Sequence, residues 1–77
     1  MVTLQILGGR KEKIRAGDML GALTKDAGYA ASQVGKINVN EFATYVAVDR
    51  KIGTQAAAKL NASSIKGKSV KVRLLGE

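Results

Sequence analysis

Four cations stand within six positions of one another, Arg10, Lys11, Lys13 and Arg15, directly after the pair Gly8-Gly9. Only one acid, Glu12, lies among them, so local pairing cannot neutralise the group. The surrounding stretch, residues 8–23, reads GGRKEKIRAGDMLGAL. An apolar strand leads into it, two glycines turn it, and a helix opens after it. Backbone N–H groups, cationic side chains and the positive end of a helix each attract phosphate, and this arrangement offers all three together. Arg10 adds a planar fork that suits a phosphate or a guanine edge. The plainer alternative is a solvated loop with Arg15 paired to Asp18. The stretch is not a nucleotide-binding loop, because it contains neither G-x-x-x-x-G-K-[ST] nor G-x-G-x-x-G. A second supply of cations follows near the C-terminus: Lys66 and Lys68 around Gly67, then Lys71 and Arg73.

The whole chain carries the same bias. Thirteen Lys and Arg against six Asp and Glu give a net charge of +7 and a pI near 10.1 in a 77-residue chain, the size of one domain. A polyanionic partner is expected, and nucleic acid is favoured over a membrane surface because the cations cluster. No apolar run approaches the length of a membrane span, and no secretory signal precedes the first strand. There is no Cys and no His, so disulfides, thiolate metal sites and Cys- or His-based catalysis are excluded. The six acids are scattered without metal-ligand spacing. Nothing places Ser32, Ser63, Ser64 or Ser69 beside a desolvated lysine, so no nucleophile pair is expected either. No catalytic residue, metal or cofactor is assigned to this domain.

The elements that must position these residues follow from hydrophobic period. Residues 2–7 (VTLQIL) alternate, with Val2, Leu4 and Ile6 on one side, and predict a half-buried strand. Ile14 is the one apolar residue of the basic loop and is expected in the core. A first helix is predicted over residues 18–27, capped by Asp18, stopped by Gly28, with Leu20, Leu23 and Ala27 on the core face and Met19 beside them. A connecting segment at 29–33 has room for one helical turn. Strands are predicted over 34–40 and 44–48, joined by a short link at 41–43. A second helix is predicted over 49–61, with Ile52, Ala56 and Leu60 recurring every four residues. Gly53 in its first turn costs about 1 kcal/mol against Ala and is expected to fray or shift the start. A basic turn at 66–68 leads to a fourth strand over 69–75, with Val70, Val72 and Leu74 inward and Lys71 and Arg73 outward. Lys25, Lys51 and Lys59 read as solubility charges on outward helix faces.

The order β-α-β-β-α-β makes an α+β domain: a four-stranded antiparallel sheet with both helices on one face. The open face then carries Thr3, Gln5, Lys36, Asn38, Asn40, Tyr45, Ala47, Lys71 and Arg73. An RNA-recognition motif uses such a face to stack single-stranded bases, with aromatics set by the pattern K/R-G-F/Y-G/A-F-V-x-F/Y on the third strand. Here Tyr45-Val46 matches the second aromatic and Val, Ala43 falls at the first aromatic position, and Phe42 is out of phase. Tyr45 is therefore the one stacking platform the sheet offers, or simply a half-exposed strand residue. Stacking contributes roughly 1–3 kcal/mol per base. With the usual rings missing, binding must lean on cations and loops.

The segments LGGRKEKIRAGDMLGALTKDAG, VGKINV, TYVAV and IKGKSVKVRLL, in this order and spacing, resemble the C-terminal RNA-binding domain of DEAD-box RNA helicases of the DbpA type. The resemblance covers almost the whole chain and departs at Ala16, where many relatives have proline. It implies an RNA-recognition-motif-like fold with degenerate motifs. It also implies that residues 1–77 are one domain of a longer bacterial cytoplasmic protein, whose helicase core lies in cis and holds the ATP and Mg. The domain would tether that core to structured rRNA, a hairpin in the peptidyl-transferase region of the large ribosomal subunit, during ribosome assembly. Carried over by position, Arg10, Lys11, Lys13 and Arg15 form the family's basic loop, and Lys66, Lys68, Lys71 and Arg73 its basic tail. Two rivals differ in class. One is a nucleic-acid binder that recognises charge alone. The other is a protein-interaction or dimerisation module built on the Ala56-Ala57-Ala58 surface, where the main reading expects a monomer.

Overall fold

A computed structural model describes residues 1–62, 64–65 and 68–76. The strands are β1 (Val2–Ile6), β2 (Val34–Val39), β3 (Thr44–Val48), β4 (Ser64–Ile65), β5 (Lys68–Ser69) and β6 (Val72–Gly76); the helices are α1 (Ala16–Gly21) and α2 (Gly53–Ala62). Four strands form one antiparallel sheet in the order β2-β3-β1-β6, and α1 and α2 pack on it. This is the expected RNA-recognition-motif-like α+β arrangement. The alternation of β1 and β3 is what closes it. Leu4, Ile6, Val46 and Val48 are fully buried on one face, while Thr3, Gln5, Tyr45 and Ala47 are half-buried on the other. Ile14, Met19, Leu23 and Leu60 complete the core. No helix among the described residues is long and apolar enough to cross a membrane.

Helix α1 differs from expectation in phase and form. Met19, Ala22 and Leu23 face the core, and Leu20 is 39% exposed. The sequence contains two apolar stripes sharing Leu23, and the sheet selects the one that buries Met19. The helix then widens into a π-turn over Ala22–Asp26, in which the Ala27 N–H donates to the Ala22 carbonyl at 2.9 Å. Gly28 stops it with φ 82, a left-handed conformation that glycine adopts without strain, as predicted. Lys59 is not a solubility charge. Its Nζ donates to the Ala27 carbonyl at 3.1 Å and lies 4.7 Å from the Tyr29 ring centroid, closing the end of the π-turn.

A 3-10 turn over Arg50–Ile52 precedes α2, and Asp49 accepts the Lys51 N–H at 3.0 Å. The α-helix begins at Gly53 rather than at residue 49, the expected shift of its start, and a Cβ at Gly53 would stand 2.6 Å from Val2 Cγ2, so glycine also lets the helix approach β1. Ala56 and Ala57 are buried against the core and only Ala58 of the triplet is exposed, so most of the triplet is packing surface. The predicted fourth strand divides. Ser69 pairs with Ser64 in the short β4–β5 ribbon, and the sheet strand begins at Val72. The Asn61 side chain accepts the Val72 N–H and donates to the Val72 carbonyl, each at 2.8 Å, so α2 sets where β6 starts. Leu74 lies on the helix side but stays 42% exposed, because β6 is a sheet edge.

Candidate nucleic-acid interface

The basic loop is held by its main chain, and its cationic residues are exposed. Gly9 lies so close to the β2–β3 link that a Cβ would fall 2.0 Å from the Asn40 carbonyl oxygen. That approach lets the Arg10 N–H donate to the Asn40 carbonyl at 2.9 Å and the Lys11 N–H to the Glu41 carbonyl at 3.0 Å. Residues 10–12 form a 3-10 turn, and Lys13 takes φ 64 to end it. The Ile14 N–H returns to the Gly9 carbonyl at 3.0 Å, and the Ile14 side chain is fully buried, as predicted. Beneath the loop, the buried Thr44 hydroxyl donates to the Gly8 carbonyl at 2.7 Å. Backbone donors and acceptors are thus matched where the chain turns over the sheet end.

Two acids bond the loop's backbone. Glu12 Oε1 accepts the Gly9 N–H at 2.7 Å, and Asp18 Oδ2 accepts the Arg15 main-chain N–H at 2.9 Å at the start of α1. Arg10, Lys11, Lys13 and Arg15 are all exposed. A depression of about 380 Å³ is lined by Arg10, Lys13, Ile14 and Arg15, and another of about 400 Å³ by Arg10, Lys11 and Glu41. Arg10 borders both.

The end of the sheet joins this loop to the second basic group. The Leu7 N–H donates to the Lys71 carbonyl at 2.9 Å, so the approach to β6 runs beside the loop's first residues. Arg73 pairs with Gln5, Gln5 with Tyr45, and Tyr45 with Asn38, which sets Asn38, Tyr45, Gln5 and Arg73 in one row across the open face. The Gln5 Nε2 donates to the Tyr45 hydroxyl at 3.2 Å, holding the half-buried ring within this row. Lys36 is exposed on the edge strand β2, in the part of β2 that precedes Asn38. Lys68 pairs with Ile65 in the β4–β5 ribbon, and Lys66 lies outside the described residues. The structure therefore gathers the loop cations with Lys71 at one end of the sheet and sets Arg73 and Tyr45 across its face, while Lys36 is separate.

One residue beside the site had no place in the sequence reading. Phe42, out of phase for a sheet aromatic, projects from the β2–β3 link with 62% of its surface exposed, and the Lys11 Nζ lies 5.1 Å from its ring centroid. The signal was there to find: an aromatic in a short polar link has no periodic reason to be apolar.

Comparison with known proteins adds an independent line. The family model described as the DbpA RNA binding domain matches residues 3–74. The chain is 48% identical over 75 residues to the ATP-dependent RNA helicase DbpA of Escherichia coli (strain K12), covering 97% of this chain and 16% of that protein. It is 33% identical over 72 residues to the ATP-dependent RNA helicase DbpA of Bacillus subtilis (strain 168), covering 94% of this chain and 15% of that protein. The chain thus spans only a small part of the length of the curated relatives it matches.

Proposed function

The chain belongs to the DbpA RNA binding domain family, and from that membership and the clamped basic loop we propose that it is the RNA-binding module of an ATP-dependent DEAD-box helicase. The module tethers a helicase core in cis to structured RNA, a hairpin in the peptidyl-transferase region of large-subunit rRNA, during ribosome assembly in the bacterial cytoplasm. Hydrolysis of ATP, with its Mg, belongs to that core, and this domain is non-catalytic.

The observation that carries the reading is the docking of the loop. Arg10 and Lys11 spend their backbone N–H groups on Asn40 and Glu41, leaving their side chains exposed on a fixed main chain. A flexible basic tail would pay ordering entropy on binding; a clamped loop has already paid much of it. Lys13 and Arg15 continue the same surface, and Lys71 and Arg73 extend it along β6. The residues assigned to RNA contact are therefore Arg10, Lys11, Lys13, Arg15, Lys71 and Arg73, with Tyr45 and Lys36 on the sheet and Lys66 and Lys68 in the basic tail.

Fluorescence anisotropy with the peptidyl-transferase hairpin and a scrambled RNA of equal length, at two salt concentrations, tests this. The expected result is a preference for the hairpin by orders of magnitude at both. Equal binding that collapses alike with salt would mean that phosphates alone are recognised, and the specific tether would be lost.

A further inference from the structure

Phe42 is the only phenylalanine of the chain, and it lies outside the buried core. The turn that carries it does not need the ring, because the Asn40 N–H closes the link on the Ala43 carbonyl at 2.8 Å. What surrounds it is specific. The Lys11 ammonium lies 5.1 Å from the ring centroid, and the Lys11 N–H is bonded to the carbonyl of Glu41, the residue next to Phe42. Lys11 also lines an open depression with Arg10 and Glu41. An aromatic face, two cations and one carboxylate thus stand together on backbone fixed by hydrogen bonds.

The geometry points to a stacking site for one unpaired nucleotide at the β2–β3 hairpin tip. The base lies on the Phe42 ring, its phosphate meets Lys11 and Arg10, and the Glu41 carboxylate accepts an N–H from the base edge. Aromatic rings accept any base on their π-face, and cations beside the ring hold the backbone that carries it. The site rests on the RNA-binding reading above. It adds that the ring missing from the sheet pattern is supplied at the loop, so an unpaired nucleotide is held at the end of the sheet as well as on its face. A paired helix buries its bases in the stack and cannot use such a ring.

The test uses two RNA probes, a blunt duplex and the same duplex with a short single-stranded tail containing 2-aminopurine. Wild type is expected to bind the tailed probe more tightly and to quench its fluorophore. Phe42→Ala is expected to lose roughly tenfold on the tailed probe, to bind the blunt one unchanged and to abolish the quenching. Phe42→Tyr keeps both. The salt dependence of Phe42→Ala stays that of wild type, because no phosphate contact is removed. If wild type binds both probes and Phe42→Ala binds them identically, the stacking site is wrong and RNA binding stands. If wild type binds neither probe, the stacking site falls; RNA binding falls with it only if the hairpin titration above also fails, because a hairpin-specific module need not bind these probes.

Discussion

Lys59 over Tyr29 and Lys11 over Phe42 are the same contact in two surroundings. At the first, the ring is half-buried, its hydroxyl is buried with no hydrogen-bond partner among the described residues, and the ammonium also bonds the Ala27 carbonyl just past the π-turn. That lysine joins α2 to the end of the first helical segment, and its charge complements the negative helix end. At the second, the ring is 62% exposed and the ammonium stands on a docked loop beside an open depression. Nothing of the core depends on it. The difference teaches that a cation over a ring takes its role from what lies around the pair. Buried edges make it a brace, and an open face makes it a candidate binding site.

The largest expected effect comes from removing the clamp that holds the exposed pair. In Gly9→Ala the new methyl collides with the Asn40 carbonyl oxygen, so the loop must lift from the hairpin. Overpacking of this kind destabilises by about 3 kcal/mol, read as a lower midpoint in urea denaturation. The remaining folded fraction is expected to bind RNA more weakly. Unchanged affinity would mean that loop docking is irrelevant to binding. Lys59→Ala removes the brace. It is expected to lower stability by about 1 kcal/mol, for one cation–π contact and one hydrogen bond at an exposed site, with RNA affinity unchanged once only folded protein is counted. A marked loss of affinity at full folding would end the distinction between the two pairs. Lys11→Ala has the smallest effect on stability, under about 0.5 kcal/mol. Its signature is in binding: the slope of log affinity against log salt is expected to fall by about one counterion, which titration at several salt concentrations measures.

Where the sequence spoke through the alternation of β1 and β3, it spoke accurately. The alternation in Val2, Leu4 and Ile6, and again in Thr44, Val46 and Val48, dictates which face of each strand is buried, since one residue of slip would invert the whole set. Gly28 named its own left-handed position, and Ile14 its place in the core. The first helix misled because residues 19, 22 and 23 satisfy helical spacing as well as residues 20, 23 and 27 do. Gly53 marked the late start of α2, but a propensity scale contains no term for the β1 side chain that a Cβ would strike. Phe42 went unassigned because pattern matching asked only whether it was in phase with a strand.

The sequence by itself determined the element order, the strand faces, the basic excess and the family. Each is local or additive: a two-residue or 3.6-residue period, a sum of charges, a string of matched residues. The tertiary structure decided what depends on two distant segments meeting. The loop is clamped because Gly9 and Asn40 approach across the sheet end. Arg73 joins Gln5, Tyr45 and Asn38 in one row because three strand registers align. Lys59 braces while Lys11 stays beside an open ring because of what packs around each. Such contacts exist only once the chain has closed its sheet, and no window of sequence contains both partners.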